Sequence, residues 1–281
     1  MPKRSMRAVG AALALFGAAC APLTVQEEKQ LGREVQRQVR QQSQFVRDPV
    51  AVNYVRDLGA QLVTASAPSP FEFRFYVIED ESLNAFAVPG GAIYVHTGLI
   101  LAVQDASELA GVIAHEIGHV TDRHVAQMAR RGRNTGIMQQ IGAILFAILT
   151  GSQIGAQAGS IVTGMAAQAY MATYTQDAER DADKLAIDSL IRAGYDPNGM
   201  ITMFETLKRE SAGRMHGPQF LSSHPATDER IQRVRVMIGQ REPLHDVRRD
   251  DGGRLQIIQQ RLQLIIGTDV DELLEEDDDE E

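Results

Sequence analysis

Residues 24–45 are rich in Gln, Glu and Arg, with apolar residues only at sparse positions such as Val25, Leu31, Val35 and Val39. That spacing predicts an amphipathic surface helix. Asp48-Pro49 opens a second helix, with proline at the first helical position and Val52, Val55, Leu58 and Leu62 on its inner side. Ala67-Pro68-Ser69-Pro70 breaks it, and Phe71 to Phe75 then alternates at period two and runs into Tyr76-Val77, which predicts a strand. Asn84–Val88 and Ala92–His96 flank Pro89-Gly90-Gly91 and predict two short strands around a tight turn. From Asp105 the period becomes helical, with Glu108 three residues on completing a capping-box pattern.

Residues 134–170 are apolar but interrupted by Gly, Ser and Gln. Their longest run free of Gln, Ser and charge, Ile141–Gly151, falls well short of the ~20 residues of a bilayer span. Two readings stand: a lid or membrane-facing flap, or a helical hairpin that completes the core. Helices follow from Gln176 to Ala193 with Gly194 as the stop, and from Pro197 to Arg209. A helix after Pro225 contains Ile231, Val234, Val236 and Ile238, and a further apolar helix covers 254–266. The pattern is α+β, mostly helical with a small sheet.

Composition adds little until the charge is placed. The formal net charge is −9, but the last 13 residues, Asp269–Glu281, hold ten acidic and no basic side chains, leaving +1 for the rest. The tail is expected to be solvated and disordered. Without a basic excess, nucleic-acid binding is not expected. One cysteine excludes an intramolecular disulfide and a cysteine zinc cluster.

That cysteine sits at the end of a secretory pattern: three positive charges in residues 1–7, a small apolar stretch over 8–19, then Cys20. In one reading this is a lipoprotein signal cut before Cys20, whose acylation anchors the protein to a membrane; Gly17 stands where Leu, Val or Ile is usual. In the other it is an ordinary signal peptide and Cys20 is incidental. Both place the mature protein outside the cytoplasm.

His115-Glu116-Ile117-Gly118-His119 carries the chemistry. On a helix, i and i+4 project from one face, so two imidazoles can hold one zinc ion at about 2.0–2.1 Å. Glu116 lies about 100° around the helix. It can reach water at the metal without ligating, as a general base. A catalytic zinc needs a third protein ligand, and the acidic segment Glu179-Arg180-Asp181-Ala182-Asp183 supplies candidates on a predicted helix. His124 falls one residue past the i+4 register, and it is expected, with His96, His216 and His245, to be structural or superficial.

The HExxH helix, the ExxAD-type segment after it, Asn-Ala-Phe-Ala-Val-Pro-Gly-Gly upstream and Ser-His-Pro downstream together resemble the HtpX-like and CAAX-prenyl-protease-like zinc metallopeptidases, gluzincins of the exported bacterial type. The resemblance covers about residues 45–240. It implies a zincin-like domain whose edge strand, Asn84, Ala85, Phe86 and Ala87, lines the active site. It implies one Zn²⁺ per chain held by His115, His119 and Glu179, with Glu116 as base and Asp183 orienting a ligating histidine. His224, with Arg230 six residues on, would approach the metal, either to stabilise an oxyanion or to cap the zinc at rest. Asp181 and Tyr174-Thr175-Gln176 depart from the usual Glu and Tyr-Ser-Arg.

The expected organisation is a signal peptide at 1–19, an N-terminal helical segment at 20–47, the metallopeptidase domain at 48–241, a C-terminal helical extension at 242–268 and a disordered acidic tail at 269–281. The expected function is a zinc endopeptidase of the bacterial envelope acting on unfolded or misassembled polypeptides, held to the outer membrane through Cys20. A latched, chaperone-like lipoprotein with little turnover is the alternative. Glu116 favours the enzyme, since a binding module needs no base.

Overall fold

The computed structural model describes residues 23–133, 174–211, 219–241 and 243–278. Helix α1 (Val25–Gln42) starts at a capping box, Thr24 accepting from the Glu27 N–H while Glu27 accepts from the Thr24 N–H. Helix α2 (Pro49–Ala65) is capped by Asp48. Three strands follow: β1 (Arg74–Ile78), β2 (Ala85–Val88) and β3 (Ala92–His96). Strand β1 begins later than the alternation from Phe71 suggests. Its first paired residue is Arg74, opposite Ala92, so the ladder length of β3 sets where it starts.

The sheet order is β1-β3-β2, with β1 parallel and β2 antiparallel to the central strand. The β2–β3 turn is made by Gly90 and Gly91 at φ +86° and +101°, which side chains with a Cβ rarely adopt. Both faces of the sheet are covered. Phe75, Val77, Ala85, Ala87, Ile93 and Val95 join the main core, while Phe86, Val88, Ala92 and Tyr94 pack under Val35 and Val39 of α1. The small Ala85 and Ala87 let the next long helix approach closely.

After the short α3 (Thr97–Ala102), helix α4 (Ala106–Thr121) runs through the middle of the molecule, with every residue from Ala106 to Val120 buried. Its cap is Asp105, whose side chain accepts from the Glu108 N–H at 3.0 Å; Glu108 in turn accepts from the N–H of Gln104. Helix α5 (His124–Arg133) ends the first described stretch.

Helix α6 (Gln176–Arg192) crosses α4 at Gly118, where a Cβ would lie 3.0 Å from the Ala182 oxygen and 3.1 Å from its Cα. A Cβ there would force the two backbones a few tenths of an ångström apart, so glycine suits this close approach. Thr175 caps α6, and Gly194 ends it at φ +76°, with Tyr195 N–H donating to Leu190 O and Gly194 N–H to Ile191 O, a Schellman ending. Helices α7 (Gly199–Ser211), α8 (Gln219–Ser223), α9 (Asp228–Gly239) and α10 (Arg254–Asp278) complete the described chain.

Val236 of α9 lies two residues, about 200°, round the helix from buried Val234 and is 59% exposed. One expectation is corrected. Helix α10 runs to Asp278, well into the stretch expected to be disordered, where Glu and Leu are good helix formers. The segment after 241 is not a loose appendage. Leu255, Ile258 and Leu262 lie in the main core, Gln259 donates to the carbonyls of Ile100 and Val103, and Arg249 pairs with Asp105 at 2.6 Å. The readings of 1–19, Cys20 and 134–170 fall outside the described residues. Among the described residues, no helix is long and apolar enough to cross a membrane.

A buried histidine and carboxylate cluster

Helix α4 presents His115, Glu116 and His119, α6 presents Glu179 and Asp183, and the chain after α8 brings His224; all six are buried. The Gly118–Ala182 crossing sets the distance between the first two elements. His115 Nε2 lies 3.0 Å from His119 Nε2 and 3.3 Å from His224 Nδ1. Glu179 Oε1 stands 3.3 Å from His119 Nε2 and 2.9 Å from His224 Nδ1, and Oε2 stands 3.5 Å from His115 Nε2. Four side chains therefore offer one ligand atom each within 4.8 Å of one another.

Around them is a layer of fixed orientation. Asp183 Oδ1 lies 3.1 Å from His115 Nδ1. Arg230, 2% exposed on α9, donates to Asp183 at 2.7 and 3.0 Å and pairs with Glu179 Oε2 at 2.6 Å. Its guanidinium lies over the Phe204 ring, 4.6 Å from the centroid. Glu116 turns one oxygen to the edge strand, where Ala87 N–H donates to Oε2 at 2.8 Å. Its Oε1 faces His224 Nε2 at 3.5 Å. The edge strand Asn84–Ala87 is thus beside the site, but buried.

The titration directions follow. Burial opposes a charge on His115, but Asp183 and Glu179 outweigh it and raise its pKa to about 9. Burial lowers His119 well below the usual imidazole value. Glu116 is pushed up by burial. Burial opposes ionisation of Glu179 and Asp183 too, yet His224 and Arg230 hold Glu179 well below the carboxylate range, and Arg230 and His115 hold Asp183 below its ordinary value.

The donor set fits a divalent zinc ion. Ligand atoms about 2.0–2.1 Å from one tetrahedral centre lie about 3.3 Å apart, which the nitrogen and oxygen separations here approach. If Asp183 accepts the Nδ1 proton of His115, its Nε2 lone pair faces the nitrogen of His119 inside a buried pocket, an arrangement that a cation satisfies. Either three ligands, His115, His119 and Glu179, or these with His224 can hold it.

Two neighbours escaped the sequence reading. Tyr174 is buried and stacks on His119 with centroids 3.9 Å apart at 27°, and on His224 at 5.2 Å and 26°. It precedes Thr175, whose hydroxyl caps α6, so Thr keeps the helix start where the family usually has Ser; Gln176 is exposed. His124 is also buried, with Nδ1 2.9 Å from His119 Nδ1. The signals for Tyr174 are its aromatic ring just before the Glu179 helix and its match to the Tyr of the family's Tyr-Ser-Arg. Of the other histidines, His96 is buried and bonded to Ser82 Oγ at 2.7 Å, His245 is exposed, and His216 falls outside the described residues.

The model of peptidase family M48 matches residues 49–238. A beta-barrel assembly-enhancing protease of Yersinia pestis is 32% identical over 224 residues, 79% of this chain and 46% of that protein. A putative beta-barrel assembly-enhancing protease of Vibrio cholerae is 36% identical over the same shares. Metalloprotease LoiP of Escherichia coli is 30% identical over 59% of this chain and 62% of its own. The chain spans about half the length of the first two relatives.

Proposed function

Because the chain belongs to peptidase family M48, we propose that it is a zinc-dependent endopeptidase of the bacterial cell envelope, acting on unfolded or misassembled envelope polypeptides. The observation that carries this reading is the convergence of His115, His119 and Glu179 on one buried point, with a carboxylate that is not part of the set, Glu116, beside it. When bound, zinc would supply Lewis acidity and bring the acidity of water close to neutrality, to a pKa of about 7. Glu116 would take the water proton at Oε1, while Ala87 N–H keeps Oε2 turned to the sheet. An extended substrate would lie along β2, whose edge faces the site.

His224 supports a second reading, a latched resting state. Its Nδ1 stands with the ligand atoms, so it could cap the metal as a fourth donor, and capping and turnover exclude each other. The names of the assembly-enhancing relatives support an envelope location. Cys20 would supply the anchor; labelled fatty acid that enters the wild type and Cys20→Ser equally would refute that.

The deciding experiment is Glu116→Gln. An amide cannot accept the proton, so zinc content should stay at wild type while cleavage of an unfolded casein substrate falls by about 10²–10⁴. Cleavage near wild type would remove Glu116 as the base.

A further inference from the structure

Arg123, two residues past the end of α4, holds φ +55°, a left-handed conformation uncommon outside glycine. Its guanidinium is fastened to α1: Nε donates to Glu28 Oε2 at 2.8 Å and Nη2 to the Leu23 carbonyl. Glu28 is 2% exposed and Arg123 partly so, and their ion pair joins the N-terminal helix to the α4–α5 bend. The bend carries His124 back over the end of α4. Its ring meets His119 at 4.9 Å between centroids and 72° between planes, with the two Nδ1 atoms 2.9 Å apart.

Two ring nitrogens at that distance share one proton: one donates and the other accepts. His119 turns its Nε2 toward His115 Nε2 and Glu179 Oε1. A neutral imidazole whose Nε2 lone pair serves a metal carries its proton on Nδ1, and that proton needs an acceptor. For His115 the atom at Nδ1 is an oxygen of Asp183; for His119 it is Nδ1 of His124.

We propose that His124 is the positioning residue for His119, accepting its Nδ1–H and thereby fixing the tautomer that aims Nε2 at the metal, with the Arg123–Glu28 pair holding His124 in place. The inference rests on the zinc reading of His115, His119 and Glu179. His124 turns toward the outer nitrogen of His119 and not toward the shared centre, so it acts through another residue. The two ligating histidines then have unlike supports. Asp183 adds a negative charge already balanced by Arg230, whereas a neutral imidazole gives direction without charge.

The test uses the full chain, loaded with zinc, and two variants. His124→Leu keeps volume and removes the acceptor; His124→Asn keeps an acceptor oxygen. Competition with a chromophoric chelator should show zinc affinity lowered about 10–100-fold in His124→Leu, as for other lost outer partners, and largely restored in His124→Asn. Wild-type affinity in the Leu variant, or an equal loss in both variants, would overturn the proposal. A wild-type chain that binds no zinc would instead overturn the zinc reading, and the inference with it. Long-range proton–nitrogen spectra of the imidazole-labelled, zinc-loaded wild type need no variant. They should show His119 protonated at Nδ1, and a bare Nδ1 there would overturn the assignment.

Discussion

Two groups of histidine and acidic side chains lie close to each other around the end of α4. His115, His119, Glu179 and His224 form one; Asp122, His124 and Asp181 form the other, and in both the possible ligand atoms lie within 4.8 Å. In the first, all four residues are buried and their nitrogen and oxygen atoms face one another at 2.9–3.5 Å. In the second, Asp122 and Asp181 are exposed and only His124 is buried. Water can dissipate the charge of the exposed pair, whereas nothing but a proton, an arginine or a cation can do so inside. Enclosure, more than residue type or proximity, separates a candidate metal centre from a polar surface.

The sharpest way to break this comparison is to remove one member from each group. His119→Ala should lose both zinc and peptidase activity, while Asp181→Ala should keep one zinc per chain, as read by elemental analysis of the purified proteins. Loss of metal in the second variant alone would exchange the roles of the two clusters.

Next in size is Arg230. Replacing it with Met leaves Glu179 and Asp183 buried without their cation, so zinc-free protein should lose about 3–5 kcal/mol in urea unfolding at neutral pH. Both carboxyls are held below their ordinary values in the fold. Their contribution is therefore present above the unfolded range near about 4 and fades as pH falls, and the deficit of the variant should shrink in acid.

His224→Ala should have a smaller effect on metal, since three ligands remain. On the latched reading, basal cleavage rises. If the histidine instead holds the oxyanion, the rate drops by about 10²–10³, as for one lost donor. Steady-state cleavage of an unfolded substrate separates the two, and unchanged kinetics would take His224 out of the site.

The smallest effect is expected at Asp122, on the surface but with a carboxyl raised by partial desolvation and then by the charge of Asp181. A raised acid favours the fold below its unfolded value and loses that contribution as pH rises through the folded one. Asp122→Asn should therefore raise the melting temperature slightly at about pH 7 and not at about pH 3. A drop at neutral pH would mean that the carboxylate has a favourable partner.

Much of the centre was legible before any coordinates, because each piece is local. The His115–His119 spacing works within one helix, Asp105 and Thr175 are caps, and Glu179 and Asp183 are one helical turn apart. What was not legible depends on backbone direction between elements. Nothing local announces that Arg123 adopts a positive φ, so His124, counted along a straight helix, fell out of register when in fact the chain turns it back onto His119. Tyr174 is similar: its sequence neighbours explain a helix start, and its stacking on His119 depends on where the preceding chain delivers it. The burial of the edge strand and the Ala87–Glu116 hydrogen bond arise only from the approach of α4.

The distances along the chain between these partners bear on the order of folding. His115 meets His224 across 109 residues and Arg230 across 115, while the sheet is closed within residues 74–96. Loop closure delays such long-range contacts relative to local ones. On that ground the HExxH helix is expected to form early and its counter-ion and last histidine to arrive late. On the proposed endopeptidase function, late completion of the pocket would separate the chain's own maturation from its activity.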